Sequence, residues 1–270
     1  MQRTLIVLSM TVATGLACSA RTLTAVGPCP AGTTSVEGMA CERPVPDPLL
    51  SGLVGLWHFD ETAGATMAMD ASENHNDGTL MLLDPATAWV GGRIGNALAV
   101  EATGYVHVPP SDSIRGITTA VTVSAWVYWE GAISDYGTAL SRQIGTSIDQ
   151  YYHLGLWQAT DGGASLFITP SMDPKAAAHP RGTPIQQRTW THLAGTYDGK
   201  VAILYVGGTP VSPMKVTGMF PDDTTPLVLG GNGNGLTVSE FFPGRIDEIA
   251  LYNRALDEAE IQRLANAASF

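Results

Sequence analysis

Short runs in which hydrophobic and polar residues alternate recur along the chain from Leu49 to Tyr252. The clearest is VTVSAWVYW at 121–129, where every second residue from Val121 to Trp129 would share one face of a strand. Similar runs occur at eight further places: LVGLWHF (53–59), GYVHV (104–108), YYHLGLW (151–157), ASLFIT (164–169), TWTHLAGTY (189–197), KVAILYV (200–206), PLVLG (226–230) and GRIDEIALY (244–252). This pattern predicts many short β-strands and no βαβ units.

Turn sequences separate these runs. TDGG (160–163) and GGNGNG (230–235) are rich in the residues that tolerate tight turns, and YDGK (197–200) joins two alternating runs as a hairpin would. Many strands at this spacing are typical of an antiparallel sandwich. The sequence therefore predicts an all-β fold, a two-sheet antiparallel jelly-roll sandwich.

The last residues of the chain follow a helical pattern instead. Asp257 is a suitable N-cap, and Glu260 three residues later completes a capping box. Leu256 and Ile261 fit the positions of a hydrophobic staple, and Leu264 continues the apolar stripe. The pattern predicts a short C-terminal helix that docks on the sandwich, because so short a helix is marginal alone.

The N-terminus has the pattern of a secretory signal peptide. Arg3 precedes an apolar run from about Leu5 to Ala17, which is too short for a comfortable membrane span. GLAC at 15–18 resembles a bacterial lipobox, with Gly15 where leucine is usual. Residues 1–18 are interpreted as a signal peptide, with Cys18 lipidated. The alternative is ordinary cleavage after Ala17 or Ala20.

The next segment, 19–48, is interpreted as a proline-rich spacer, and residues 49–270 as the sandwich domain. Pro44, Pro46 and Pro48 alternate in ERPVPDP, which excludes helix and favours an extended spacer. If Cys18 carries lipid, two cysteines remain, and an exported compartment favours a Cys29–Cys41 disulfide. The expected location is a bacterial outer membrane or cell surface, with a secreted or periplasmic protein as the alternative.

Composition narrows the range of partners. Hydrophobic residues make up 44% of the chain, enough for a packed core, and the formal net charge is −11. A phosphate backbone attracts clusters of Lys and Arg, and none is visible in the sequence. Nucleic acid is therefore not an expected partner, and membrane contact is expected only through the lipid anchor.

Six blocks of the sequence carry a family resemblance: LVGLWHFDE, DASENHNDGT, RIGNALAVEATGYVHVP, VTVSAWVYWEG, WTHLAGTYDGKVAILYVGG and GRIDEIALYNRALDEAEI. In this order they resemble a LamG-like jelly roll, the concanavalin A-like lectin/glucanase sandwich, over roughly residues 50–265. The resemblance implies two curved antiparallel sheets and loops that often hold calcium. It does not imply one function, because the fold serves lectins, adhesion modules, carbohydrate-binding modules and some glycosidases.

The loop MDASENHNDGT suggests a metal site, although Glu73 and His75 replace glycines of the family's pattern. Calcium prefers hard oxygen ligands, and the loop offers them; the alternative is a set of Asx-turns. The residues predicted to bind calcium are Asp70, Asn74, Asn76 and Asp247.

Asp247 is a charged residue among buried-looking positions. Strict alternation puts it on the face of Ile249 and Leu251. Its carboxylate is therefore expected either to ligate calcium or to accept backbone N–H bonds that lock the ends of the domain together.

No catalytic pattern is evident. Glycosidases of this sandwich place acids on one strand face, whereas alternation puts Asp247 and Glu248 on opposite faces. The histidines lack metal spacing, and His192 is interpreted as structural. The protein is therefore predicted to be non-catalytic.

The predicted function is a surface-anchored binding module for a glycan or a surface protein. Aromatic rings stack on sugar faces, which makes four residues candidates for ligand binding, although each could instead be core: Trp129, Tyr136, Tyr151 and Trp157. The alternatives are a divergent glycoside hydrolase or lyase of the same fold, and a purely structural envelope protein.

We predict that the mature chain begins at Cys18 and carries lipid, because the short apolar segment ends in GLAC. Mass spectrometry of the membrane fraction should show an acylated N-terminal cysteine. An unmodified mature chain that starts at Ser19 or Arg21 would contradict this prediction.

Overall fold

The computed structural model describes residues 17–19, 40–42, 47–100, 103–131, 136–143, 150–157, 162–170, 177–234 and 237–267. The chain divides into two compact units, residues 1–50 and 51–270. In the first unit, a two-stranded antiparallel ladder pairs Cys18 with Cys41 along the backbone. Cys29 lies outside the described residues, so the Cys29–Cys41 disulfide stays a prediction, as does the lipidation of Cys18.

The described elements are mostly strands. In chain order they are β1 (Ala17–Ser19), β2 (Ala40–Glu42), a 3-10 turn (Pro48–Leu50), β3 (Leu53–Trp57), β4 (Met67–Ala68), β5 (Gly78–Met81), β6 (Trp89–Gly91), β7 (Asn96–Val100), β8 (Tyr105–Val108), α1 (Asp112–Arg115), β9 (Val121–Trp129), β10 (Gly137–Gln143), β11 (Gln150–Trp157), β12 (Gly163–Ile168), β13 (Arg181–Pro184), β14 (Trp190–Tyr197), β15 (Val201–Val206), β16 (Thr209–Lys215), β17 (Leu227–Leu229), β18 (Asn232–Gly233), β19 (Val238–Ser239), β20 (Gly244–Tyr252) and α2 (Glu258–Asn266). None of the helices in these described ranges is long and apolar enough to cross a membrane.

Two antiparallel sheets form the sandwich. Sheet I has the strand order β13-β12-β11-β10-β17-β8-β5-β4. Sheet II has the order β16-β15-β14-β9-β20-β7-β6, and β3 also pairs with β20. The predicted all-β, two-sheet antiparallel sandwich with a short C-terminal helix is confirmed, and its form is consistent with a jelly roll.

The core lies between the sheets and is built from the inward-facing side chains of both. The sheets approach closely where Gly195 of β14 faces Leu166 of β12: a Cβ at Gly195 would stand 2.3 Å from Leu166 Cδ1. Interiors are close-packed, so this contact leaves no room for a larger residue on β14.

The alternation of β9 is as predicted. Val123 and Val127 lie in the core, while Ser124 and Trp126 occupy the opposite face. The hairpin at YDGK is also present, because β14 and β15 pair in register, with Gly199 at φ 91°. Asp198 stabilises this turn, since its Oδ1 accepts hydrogen bonds from two backbone amides.

The alternation of β20 differs from the prediction, which placed Asp247 on the face of Ile249 and Leu251. A β-bulge lies between Asp247 and Ala250, and Glu248 has a φ of 49°. The additional residue shifts the phase of the strand, so Ile246 and Ile249 both enter the core. Asp247 pairs with Trp126, which places it on the outer face of sheet II. The prediction was wrong because alternation cannot show a bulge.

The C-terminal helix α2 begins as predicted. The Asp257 side chain accepts from the Glu260 amide, and the Glu260 carboxylate accepts from the Asp257 amide, which completes the capping box. Ile261 and Leu264 are buried. The segment just before α2 is tied to β9 of sheet II, because the Leu256 amide donates a hydrogen bond to the Thr122 hydroxyl at 2.9 Å. The helix is therefore held on the sandwich by its buried apolar side chains and by the hydrogen bond just before its first turn.

We expect Asp257→Ala to lower the free energy of unfolding by about 1 kcal/mol, because the Glu260 amide loses its capping acceptor. Asp257→Asn retains an acceptor and should cost less. Urea unfolding of the three proteins measures the difference. Equal losses for the alanine and asparagine variants would contradict the capping role.

Candidate functional site

A group of rings lies on the outer face of sheet I, the face opposite the core residues Leu140, Leu154 and Leu166. There His153 of β11 stands opposite Phe167 of β12. Tyr136 before β10 and His179 before β13 join them; these four residues (Tyr136, His153, Phe167 and His179) are called the aromatic cluster below.

The four rings contact one another around Phe167. The His153 and Phe167 rings are stacked, with centroids 5.1 Å apart and planes 12° from parallel. His179 lies 4.3 Å from Phe167, and Tyr136 meets Phe167 edge-on at 5.7 Å. His153 is buried, Tyr136 and Phe167 are partly exposed and His179 is exposed. The cluster is thus a partly accessible aromatic surface with a rigid base.

The two histidines of the cluster are neutral at neutral pH. Burial lowers the pKa of His153 to about 3, and His179 nearby acts in the same direction. Burial, followed by the charge of Arg181, also lowers the pKa of His179. The His153 Nε2 atom lies 3.1 Å from the Thr138 hydroxyl, which fixes the ring. Both imidazoles are therefore neutral rings that can take part in hydrogen bonds.

The hairpin of β18 and β19 lies beside the cluster. The Ser141 hydroxyl donates to the Gly231 carbonyl at 3.0 Å, and the Thr138 amide donates to the Glu240 carbonyl at 2.9 Å. Within the hairpin, Asn232 Nδ2 donates to Glu240 Oε2 at 2.6 Å, while the buried Asn232 Oδ1 has no hydrogen-bond partner among the residues that the structure describes. The partly exposed Glu240 therefore places a carboxylate on this side of the cluster, whereas the Asn232 amide is buried.

The four predicted ligand-binding aromatic residues have different surroundings. Trp129 packs in the core and is 7% exposed, so its ring offers no stacking surface. Tyr136 belongs to the aromatic cluster. Tyr151 and Trp157 occupy backbone positions in β11, but their side chains lie outside what the structure describes, so their assignment stays a prediction.

Sequence reasoning missed His153, Phe167 and His179 as ligand-binding candidates. The alternation of YYHLGLW and ASLFIT places His153 and Phe167 opposite the core leucines, which is the one available signal. His179 could not be found this way, because it precedes β13 rather than belonging to an alternating run.

The loop of residues 70–77 is an internally hydrogen-bonded turn. Asp70 Oδ1 accepts from the Leu56 and Ser72 amides, each at 2.8 Å, and Oδ2 accepts from the Asn76 amide at 2.7 Å. Asn74 and Asn76 both donate their Nδ2 hydrogens to the Val54 carbonyl. The loop therefore ties β3 of sheet II to the chain that enters β5 of sheet I.

These residues do not fit a calcium site. The N–H donors that surround the Asp70 carboxylate would point their positive ends at a cation, and the two asparagines present nitrogen toward carbonyls. Within the described ranges, no group of three or more His, Cys, Asp or Glu side chains could hold a metal. The arrangement is that of the Asx-turn alternative.

Asp247 is held by the hairpin loop between β6 and β7. Its Oδ2 accepts from the Arg93 amide at 2.7 Å and the Ile94 amide at 3.1 Å, and its Oδ1 accepts from the Glu248 amide at 2.8 Å. This is the second of the two roles expected for it, although the partner loop is 93–94 rather than the loop at 70–77. Burial raises the pKa of Asp247 to about 7, although the Ile94 and Arg93 amides act to lower it.

The neighbouring Glu248 forms a partly buried hydrogen-bonded pair with His58. Its carboxylate lies 3.0 Å from His58 Nδ1, at the end of β3. This hydrogen bond raises the pKa of His58 against the opposing effect of burial. Both acids of β20 are thus engaged with protein groups and nearly inaccessible, at 0% exposure for Asp247 and 4% for Glu248.

His192 on the outer face of sheet II is buried and pairs with Ser124, whose hydroxyl lies 2.8 Å from Nε2. Burial lowers its pKa to about 3. Within the described part of the chain its Nδ1 has no hydrogen-bond partner, so no described carboxylate orients the ring as a catalytic serine–histidine pair would require. The geometry agrees with a structural role.

Comparison with known proteins gives one family and a common fold. The family model Laminin_G_3, described as the concanavalin A-like lectin/glucanases superfamily, matches residues 100–262, more than half of the chain. A search of the curated proteins found no match to the sequence.

Several solved structures share the fold. Domain 4 of the extracellular arabinanase AbnA from Geobacillus stearothermophilus, solved with arabinotriose, is 23% identical, with a TM-score of 0.59; the match covers 79% of this chain and 98% of that one. The binding domain of Paraclostridial Mosquitocidal Protein 1 is 18% identical, with a TM-score of 0.57, and the match covers 81% and 52%. A Trypanosoma rangeli sialidase is 18% identical, with a TM-score of 0.60, and the match covers 89% and 36%. The chain thus spans about half of the toxin domain and about a third of the sialidase.

We expect calcium to leave the melting temperature unchanged, because the oxygens of Asp70 are already occupied by N–H donors. Thermal unfolding in chelator and in millimolar calcium measures this. Asp70→Ala should cost about 3 kcal/mol or more under both conditions, since buried amides lose their acceptor, and Asp70→Asn should cost less. A calcium-dependent rise of a few degrees, abolished in Asp70→Ala, would establish the calcium site expected from the sequence.

We expect the stability that Asp247 contributes to fall as the pH rises from about 4 to about 7, whereas the lowered pKa values of the buried His153 and His192 act in the opposite sense below their ordinary value of 6.5. The folded-state pKa of Asp247 is raised to about 7 from 3.8, so its contribution is present at low pH and is lost as the pH rises through about 7. The raised pKa of His58 acts in the same sense above its ordinary value of 6.5.

Thermal unfolding at constant ionic strength measures this contribution as a difference between proteins: the melting temperature of wild type relative to Asp247→Asn should fall between about pH 5 and about pH 7. The melting temperature of wild type relative to His58→Gln should fall in the same sense above pH 6.5, the ordinary pKa of histidine. Glu260→Gln is a suitable control, because the Arg254 hydrogen bond lowers the pKa of Glu260 and moves its effect below this window. Parallel profiles for wild type and Asp247→Asn would contradict the assignment.

Proposed function

The chain belongs to the concanavalin A-like lectin/glucanase superfamily, and on that premise we propose that it is an exported, non-catalytic module that binds carbohydrate on the outer face of sheet I. The aromatic cluster of Tyr136, His153, Phe167 and His179 carries this proposal. The cluster is partly exposed and supported from below by stacked rings, and its two histidines are neutral.

The chemistry of the cluster suits a sugar ring. Small-molecule sites combine apolar and aromatic lining with a few polar groups that fix orientation. Phe167 presents a partly exposed ring face, and the exposed, neutral His179 beside it can exchange hydrogen bonds with hydroxyl groups. The partly exposed Glu240 of the neighbouring hairpin adds a carboxylate acceptor. A neutral pyranose or furanose would match this mixture.

The structural relatives support a carbohydrate ligand. The arabinanase domain with the same fold was solved in complex with arabinotriose. The sialidase shows that the fold also occurs in enzymes that act on sugars, so fold alone does not choose between binding and catalysis.

The burial and hydrogen bonding of the two adjacent acids of β20 favour binding over hydrolysis. A glycosidase needs two carboxyl groups that flank the scissile bond and reach the substrate. Asp247 and Glu248 are adjacent in β20, but both are buried and bonded to protein groups. A divergent glycoside hydrolase or lyase would need acids from elsewhere, and a loss of reducing-end release in an acid variant would reveal them.

The proposed location is the cell surface, where the lipid on Cys18 and the spacer 19–48 would hold the domain away from a bacterial outer membrane. A secreted or periplasmic protein would result from simple signal cleavage. A surface protein is the alternative ligand, and a structural envelope role without a soluble ligand is the remaining alternative. Binding to a defined oligosaccharide would distinguish the proposed carbohydrate-binding module from a protein-binding module and from a structural envelope protein.

We expect the purified protein to bind neutral oligosaccharides on a glycan array, and Phe167→Leu to weaken that binding by about tenfold, because leucine fills the space without offering an aromatic face. Calorimetry with the best array ligand measures the change. Met219→Ala, at an exposed site with no ring contact among those described, is the control.

Two results would contradict the proposal: no binding to any glycan, or equal affinities for wild type and Phe167→Leu. Release of product from the bound oligosaccharide would instead establish the hydrolase alternative.

A further inference from the structure

A second group of rings lies on the outer face of sheet II, and it is cationic. Trp126 and Tyr128 point outward from β9, alternating with the core residue Val127. The Arg93 guanidinium lies 4.6 Å above the Trp126 ring, and that of Arg245 lies 5.2 Å above Tyr128.

Trp190 of β14 extends this group, with its ring 5.4 Å from that of Tyr128. The five residues (Arg93, Trp126, Tyr128, Trp190 and Arg245) are called the arginine–aromatic ladder below. Tyr128, Trp190 and Arg245 are partly exposed, and Arg93 is exposed. The ladder therefore offers ligand-accessible rings and guanidinium groups on the same face.

The two arginines differ in how far their hydrogen-bonding capacity is used. Arg245 Nε is paired with Glu130 at 3.2 Å, and its Nη1 donates to the Gly91 carbonyl at 3.4 Å. The Arg93 guanidinium makes no hydrogen bond or ion pair with any residue that the structure describes. Its fork of N–H donors is therefore available to a ligand while its face is held by Trp126.

The position of Arg93 is fixed by its backbone. Its amide donates to Asp247 Oδ2 at 2.7 Å, and the Gly92 amide donates to the Gly95 carbonyl at 3.0 Å across the hairpin loop. A guanidinium held in place loses less conformational entropy on binding than a free one.

The charge of the ladder selects the kind of ligand. The chain as a whole carries −11, which opposes non-specific binding of polyanions, so an anionic ligand needs a local site such as the ladder, where two guanidinium groups lie beside rings. Guanidinium groups recognise carboxylates through paired N–H donors, and the Tyr128 and Trp190 rings offer a flat apolar surface next to them. A sugar that bears a carboxylate matches both features.

We propose that the arginine–aromatic ladder is a second binding site, specific for polysaccharides that contain uronic acid residues. The Arg93 fork binds the carboxylate of one residue, and Tyr128 and Trp190 contact the face of an adjoining sugar ring. The site lies on the opposite sheet from the aromatic cluster and does not depend on the function proposed for that cluster.

Affinity electrophoresis of the purified full chain in gels containing polygalacturonate tests this proposal. Fully methyl-esterified polygalacturonate has the same backbone without the charge, and polyglutamate has the charge without the sugar. We expect retardation by polygalacturonate alone, weakened between about 50 mM and about 300 mM salt.

Arg93→Gln should weaken binding to polygalacturonate by about tenfold, and Arg93→Lys should restore only part of it, because lysine lacks the paired donors. Trp190→Ala should also weaken it. Arg263→Gln removes the same charge from exposed α2 and should bind as wild type does.

Three results would overturn the proposal: wild-type affinity in Arg93→Gln, equal retardation by the methyl ester, or equal binding of polyglutamate. The last would show a carboxylate site without a sugar requirement. Because Phe167→Leu should leave polygalacturonate binding unchanged, failure here is distinguishable from failure of the sheet I proposal.

Discussion

The bulge at Glu248 determines which side chains of β20 enter the core, and much of the outer face of sheet II depends on it. The inserted residue allows Ile246 and Ile249 to pack inward together while Asp247 turns outward beneath the hairpin loop. A buried carboxylate is costly unless it is hydrogen-bonded, and the Arg93 and Ile94 amides supply those bonds. The bulge and the hairpin loop therefore require one another, and their contact places the Arg93 guanidinium over Trp126.

The two outer faces have different chemistry despite a common core. On sheet I, burial keeps His153 neutral, and its ring supports Phe167 as part of an uncharged aromatic surface. On sheet II, guanidinium groups lie over the rings of Trp126 and Tyr128. A sandwich of this kind can vary both outer faces independently, because alternation separates them from the residues that stabilise the core.

Much of the fold was predictable because β9 and α2 follow simple periodic rules: strict alternation in one, a capping box at Asp257 in the other. Strand β10 was missed, because GTALSRQ is buried along its whole length and contains a bulge, so no alternation appears. The same limit made the Asp247 prediction wrong.

The candidate site was less predictable than the fold. Trp129 shares the alternation phase of Val127, and its burial in the core follows from that pattern. Phe167 and His179 come together because the segment before β13 pairs with the end of β12 at Ile168 and Ala178. The sequence around either residue does not indicate this pairing. The Asx-turn alternative for the loop at Asp70 was considered from the sequence, but only the positions of its donors distinguish it from a metal site.

The central structural claim is that the Asp247 carboxylate holds the hairpin loop that presents Arg93. Amide hydrogen exchange followed by NMR tests it most directly, because the Arg93 and Ile94 amides would exchange rapidly in an unanchored exposed loop. The account predicts that both amides are protected by about a hundredfold or more relative to the unfolded chain, and that Asp247→Ala removes this protection while the Val123 amide in β9 stays protected. Exchange of the Arg93 and Ile94 amides at unfolded-chain rates in the wild type would contradict it.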